Sequence, residues 1–345
     1  MMTHKERVDA VFTQQPTDRT CFGFVDGGAW IAKSNGLTYR QLYGLEDGGA
    51  SLIVKYTDEV DTDFVSGVNG VFTAPLNAYG CEIHIDELGS PTNTGSCMKK
   101  PEEEIPLLDK SKIRETLMAN EFFCNMVKQC RCINELVGDR KYIIGDIAGP
   151  YTLASVMVGT AKFMKLMLKK PALMEQVLDF TTALCAEIYH ILGENGCSIA
   201  FIAEPVAAGD MLSPELFEKW VQPNLVKVKE ELKEYRYIIT HICGASGSRV
   251  IPLRDIGMNT FSGDAAVDMN QALIDADNRL TFMGNMLPSG NLLFGTPEDC
   301  YKEACEHIKI AAGRPYILAP GCDLGADTPY DNVMAMSRAV KDMAK

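Results

Sequence analysis

His241 and Cys243 stand two residues apart in the stretch Ile239–Gly247, where an apolar run gives way to glycines. Alternate residues of an extended strand share a face, so this spacing points an imidazole and a thiol the same way. A third soft donor, Cys322, closes another apolar run in Leu318–Gly325, with Gly321 before it and Gly325 after. One His and two Cys converging on a point are what a catalytic Zn²⁺ takes when its fourth position is left for water or substrate. A closed structural site would use four ligands in tight C-x-x-C pairs, and the chain has no such pair. A lone His-x-Cys is more commonly a packed core pair. What favours a metal is that all three donors end apolar runs beside glycines.

Other polar residues close apolar runs in the same way: Asp26, Asp146, Glu204, Asp264 and Asn285. Asp264 is the expected fourth, displaceable ligand and part of the catalytic set with His241, Cys243 and Cys322, because a hard carboxylate yields readily to an incoming thiolate. Asp26, Asp146, Glu204 and Asn285 are expected to bind substrate or cofactor. Each carboxylate has the plainer alternative of capping a following helix. His84, His190 and His307 fall in hairpin or helix contexts and are expected to be structural or solvated, as is the Pro101–Glu104 charge run.

The residues that end apolar runs matter only if the runs end together. From about residue 140, short β-branched runs alternate with helical patterns: 141–150, 198–205, 236–243, 257–265, 279–286 and 315–322 read as strands. Between the first two, 156–170 and 171–196 read as helices. In the second, Leu173, Val177, Phe180, Leu184, Ile188, Ile191 and Leu192 recur at spacings of three and four, and Asn195-Gly196 ends it. Ser213-Pro214, Thr296-Pro297 and Thr328-Pro329 each read as a cap followed by Pro at the first helical position. Adding runs at 20–28 and 62–67 brings the strands to eight, and buried parallel strands in that number close a (β/α)8 TIM barrel. A doubly wound sheet is disfavoured, since no strand leads into G-x-G-x-x-G. The stretch 76–97 alternates around an Asp-Glu-Leu-Gly turn and reads as a β-hairpin excursion, and 99–109 as a charged loop. One barrel domain is expected over 1–345, with an N-terminal helical segment. In such a barrel the active site lies at the C-terminal strand ends, where the residues above converge.

Composition narrows the partners. A formal charge of −13 argues against nucleic acid, which is bound through Lys and Arg clusters. Neither a signal peptide nor a membrane span is apparent, so a cytoplasmic protein is expected. Twelve cysteines in that compartment stay reduced, and Cys21 and Cys185 read as small buried hydrophobes.

The segments His241–Cys243, Leu318–Pro329 and Gly145–Ser155 resemble the zinc methyltransferases of the uroporphyrinogen decarboxylase superfamily, in particular the methylcobamide:coenzyme M branch. The opening Thr3–Arg19 and the excursion Tyr79–Pro91 resemble the same family. The resemblance implies a TIM barrel holding Zn²⁺ on His241, Cys243 and Cys322. It implies a thiol substrate such as coenzyme M, and a methyl-Co(III) corrinoid (cobalamin) carried by a partner protein that docks at the barrel mouth, since the chain has no D-x-H-x-x-G corrinoid motif. Two alternatives accompany it: methylation of the corrinoid protein from a methyl donor, and a decarboxylase-like protein without methyl transfer. Porphyrinogen decarboxylation itself is disfavoured, because the early arginine-rich segment that grips its carboxylates is missing: no arginine lies between Arg19 and Arg40. No basic cluster at the strand ends announces a sulfonate pocket.

Overall fold

The computed structural model describes residues 1–25, 27–68, 73–85 and 91–344. Ten strands run in chain order: β1 Cys21–Phe22, β2 Phe64–Val68, β3 Glu82–His84, β4 Thr92–Thr94, β5 Tyr142–Ala148, β6 Ile199–Ala203, β7 Tyr237–Ile242, β8 Thr260–Gly263, β9 Thr281–Met286 and β10 Tyr316–Pro320. Eight of them form one parallel sheet in the order β1-β10-β9-β8-β7-β6-β5-β2, a (β/α)8 barrel. The two end strands meet across a seam closed by one residue. The Asp63 amide donates to Phe22 O (2.7 Å), and the Phe22 amide donates to Asp63 Oδ2 (2.9 Å). Arg7 Nη1 and Arg19 Nη1 donate to the same carboxylate at 2.6 and 2.9 Å, so the buried charge is paired as well as hydrogen-bonded.

The remaining pair, β3 and β4, is the antiparallel excursion, with Ile83 opposite Asn93. Its expected Asp-Glu-Leu-Gly turn lies outside the described residues, as does Asp26.

Period-two alternation sorts each barrel strand. On β7, Tyr237 and Ile239 join the interior cluster with Ile144, Phe201, Met283 and Ile317, while Ile238 and Ile242 pack outward against the helices. The helix His4–Phe12, opened by a reciprocal Thr3/Glu6 cap, plugs the lower end. Its Val8, Val11 and Phe12 belong to the interior cluster, Phe12 lies 4.7 Å from the Tyr237 ring, and Thr281 Oγ1 donates to Val11 O at 2.6 Å. The N-terminal helix thus fills the lower end of the barrel interior, leaving the C-terminal strand ends as its open side among the described residues.

Helix Pro171–Glu194 has the expected buried stripe, and Gly196 at φ +100° turns the chain out of it. Each of its fully buried Leu and Ile side chains contributes roughly 1.5–3 kcal/mol. Ser213 accepts from the Leu216 amide, and Thr296 pairs reciprocally with Asp299, as their spacing predicts. Three expectations are corrected. The helix over 156–170 is two helices, Pro150–Val158 and Thr160–Lys169, because Gly159 at φ +89° breaks it. Segment 99–109 is not a plain loop but contains short helical turns at Pro101–Glu104 and Ile105–Leu107. The last helix starts at Tyr330 with Pro329, not Thr328, at its cap, and the buried Thr328 hydroxyl takes none of the helix amides. Among the described residues, no helix is long and apolar enough to cross a membrane.

Candidate metal centre

Parallel register builds the site. His241 on β7 stands beside Ala203 of β6 and Ser262 of β8. The Ser262 hydroxyl lies 3.0 Å from His241 Nδ1, and the Phe201 ring stacks against the imidazole at 5.6 Å and 22°. Nδ1 is therefore engaged, and Nε2 faces Cys243 Sγ at 3.1 Å. Cys243 Sγ lies 4.0 Å from Cys322 Sγ, and the three donor atoms fall within 4.8 Å of one another.

Tetrahedral Zn²⁺ with Zn–N and Zn–S bonds of about 2.0 and 2.3 Å places neighbouring ligand atoms roughly 3.5–3.8 Å apart. The observed separations bracket that range. The donor set fits: two thiols, one imidazole held by its other nitrogen, and room on the open side. Among the described residues no other group of His, Cys, Asp and Glu comes together in this way.

Two glycines allow the approach. A Cβ on Gly321 would lie 2.6 Å from the Ala265 amide nitrogen, so only glycine lets the exit of β10 run against the exit of β8 and bring Cys322 to Cys243. Gly244, at φ +65°, turns the chain immediately after Cys243.

Asp264 holds this turn rather than joining the donors. Its Oδ2 accepts from the Gly244 amide at 3.0 Å and its Oδ1 from the Ala266 amide at 3.2 Å. Asn285 braces the same loop, with Nδ2 donating to Asp264 O (3.0 Å) and Val267 O (2.8 Å). Glu204 is wholly buried and takes the amides of Tyr151 and Thr152 at 2.9 and 2.7 Å and the Thr152 hydroxyl at 2.6 Å. It thus caps the helix that starts at Pro150, a neighbour of its own strand rather than the segment that follows it. A Cβ on Gly149 would lie 2.3 Å from Glu204 Oε1, so glycine is needed there too. Burial pushes the Glu204 carboxyl up to about 7, against the lowering effect of those hydrogen bonds.

Asp146 does reach the site. It lines a pocket at the barrel mouth together with Phe201, Ala203, Pro205, Met283, Pro320, Asp323 and Val25, and with His241, Cys243, Ser262 and Cys322. Burial would lower the His241 pKa, but the Cys322 hydrogen bond and charge, with Asp146 and Asp264, carry it above its usual value. The Cys322 thiol is raised, first by its hydrogen bond with Cys243 and then by burial.

Of the residues singled out from sequence, His241, Cys243, Cys322 and Asp146 meet in this pocket, while Asp264, Asn285 and Glu204 support it from behind. Ser262, Phe201, Met283 and Asp323 went unnoticed. Ser262 carried a signal, since it precedes Asp264 by two in the apolar run 257–265, but only the β7–β8 register puts it opposite His241. His190 contacts Glu234 and His307 the Glu303 carbonyl, and neither lines the pocket.

Residues 3–343 match the family described as uroporphyrinogen decarboxylase (URO-D). The chain belongs to that family. Within the URO-D family its similarity runs toward methyltransferases. It is 30% identical over 267 residues to the methylcobamide:CoM methyltransferase MtaA of Methanosarcina barkeri, covering 76% of this chain and 75% of that one. It is 25% identical over 354 residues to MtbA, a methylcobamide:CoM methyltransferase of Methanosarcina acetivorans, covering 99% and 98%. A solved methyltransferase from Methanosarcina mazei superposes with a TM-score of 0.89 at 25% identity, over 99% of both chains.

Proposed function

We propose that this URO-D family member is a zinc-dependent methyltransferase that moves a methyl group from a methyl-Co(III) corrinoid, carried by a partner protein, to a small thiol. The observation that carries this reading is the convergence of His241, Cys243 and Cys322 in a mouth pocket whose other walls are mostly apolar, with Asp146, Ser262 and Asp323 as the polar exceptions. The methyltransferase relatives support the corrinoid as donor.

Zn²⁺ on these three residues would supply Lewis acidity, lowering the pKa of an incoming thiol so that its sulfur is nucleophilic near neutral pH. The chain's own side chains do the rest. Ser262 engages Nδ1 of the imidazole, so Nε2 is the nitrogen that would be offered to the metal. Phe201, Pro205, Met283 and Pro320 keep the pocket poor in water and hold the thiol near its reacting partner. The thiol proton leaves through the open mouth. The sulfur then forms the S–CH3 bond as the Co–C bond breaks, the electron pair staying on cobalt as Co(I). The corrinoid must approach from the mouth, because the N-terminal helix closes the other end.

A methyl-transfer assay tests this. Zinc-loaded wild type with methylcobalamin and thiol should consume the methylcobalamin, and His241→Ala and Cys322→Ser should slow that by about a hundredfold or more. Wild type no faster than these variants with any thiol, and unable to methylate a Co(I) corrinoid from any donor, would end the reading.

A further inference from the structure

A second cavity lies beside the metal pocket and shares one wall with it, Pro205. Three connections build it, all on the C-terminal side of the barrel: the excursion that follows β2, the helices Pro150–Val158 and Thr160–Lys169 that follow β5, and the turn Pro205–Ala207 that follows β6. Met98, just past the excursion, donates its amide to Met157 O at 2.8 Å and so holds the hairpin against the first of those helices. The polar residues described in the lining are all uncharged: Thr73, Thr92, Asn93, Thr152 and Thr160. Only half of the Asn93 carboxamide is in use, since the Thr73 hydroxyl donates to its Oδ1, while its Nδ2 is buried and has no hydrogen-bond partner among the described residues. A buried donor left unmet is costly, so an unpaired one in a cavity wall favours a ligand that accepts from it. Turned over, the same amide would leave an acceptor unmet instead. Thr160 Oγ1 accepts from Ser155 Oγ at 3.1 Å, which leaves its own hydrogen for another acceptor.

We propose that this cavity takes a primary carboxamide arm from the rim of the corrin ring while the cobalt stands over the metal pocket. The proposal rests on the corrinoid methyl-transfer reading above and gives the corrinoid a second point of contact. Corrin rings carry acetamide and propionamide arms around their edge. Such an arm both donates and accepts, so it answers the Asn93 amide in either orientation and offers Thr160 an acceptor. A carboxylate arm would bring a charge into a cavity whose described lining holds no cation, and an alkyl arm would leave Nδ2 unpaired. Because Pro205 belongs to both linings, a ring broad enough to cover the metal pocket reaches the second cavity with its edge. Two fixed points aim the Co–C bond at the sulfur, where one would leave the ring free to turn.

The test uses the zinc-loaded full chain and two corrinoids. Cobinamide, which keeps the amide arms and lacks the nucleotide, is titrated by absorbance for its Kd, and methylcobalamin is followed in turnover with a thiol for its KM. Asn93→Leu, close to Asn in size but without its polar atoms, and Thr160→Val should each raise both constants about five- to tenfold, as the loss of one hydrogen bond predicts. The KM for the thiol should move less than about twofold in the same variants, which a general collapse of the mouth would not allow. Asn93 lies on the excursion hairpin and Thr160 on a separate helix, so one variant keeps the test open if the other does not fold. Cobinamide Kd and methylcobalamin KM unchanged in both variants, or no cobinamide binding by wild type, overturns the proposal. The two readouts separate the failures. Weaker cobinamide binding in the variants with no turnover by wild type supports the cavity and refutes methyl transfer. Turnover by wild type with both variants indistinguishable from it refutes the cavity alone.

Discussion

The Ser262 hydroxyl sits 3.0 Å from His241 Nδ1, and this contact decides which ring nitrogen faces the two thiols. An unanchored imidazole would sample other orientations, and each lowers the fraction of chains ready to take a metal. Ser262→Ala should therefore weaken zinc binding by about ten- to a hundredfold while leaving the stoichiometry at saturating metal unchanged. Competition against a chromophoric chelator measures it. Wild-type affinity in the variant would mean that Phe201 stacking alone orients the ring.

Asp63 closes the barrel seam and is buried with its charge. Burial alone would raise its pKa, but hydrogen bonds from His4 and the charges of Arg19 and Arg7 hold it below the usual carboxylate range. Asp63→Ala would remove one of the two carboxylates that pair buried Arg7, the carboxylate that pairs Arg19, and the bond to the Phe22 amide. The expected loss is about 3–5 kcal/mol, seen as a lower denaturant midpoint. A loss below about 1 kcal/mol would show that Asp18, which also binds Arg7, suffices.

Glu204 makes stability depend on pH. Its folded-state pKa of about 7 lies above the ordinary 4.5, so the folded chain holds that proton more tightly than the unfolded chain. Its contribution is fully present below about pH 4.5 and is lost as pH rises through about 7, a change on the order of 3 kcal/mol. Chemical denaturation at a series of pH values should show this decline in wild type relative to Glu204→Gln, which cannot titrate. Parallel profiles for the two proteins would show that the helix amides keep Glu204 ionised throughout.

The barrel was legible because its strands are buried on both sides and read as unbroken apolar runs with polar ends. His241, Cys243 and Cys322 were legible for the same reason, since each lies at or just beyond such an end. Asp264, Asn285 and Glu204 looked equivalent in sequence, yet they serve the backbone. A carboxylate at a strand end bonds whichever amides the neighbouring strand's loop presents, and that depends on register and on which loops touch. Ser262 was hidden because its partner is twenty-one residues away and adjacent only through parallel pairing. The break at Gly159 was missed because the hydrophobic spacing on either side suits a helix, while the positive φ is a backbone property that glycine permits without announcing.

The account stands on His241, Cys243 and Cys322 forming one metal centre, and metal content tests that most directly. After zinc loading and desalting, wild type should hold about one zinc per chain, and His241→Ala and Cys322→Ser less than about a tenth of that under the same conditions. Full zinc retention in both variants, or no zinc in wild type, would contradict it.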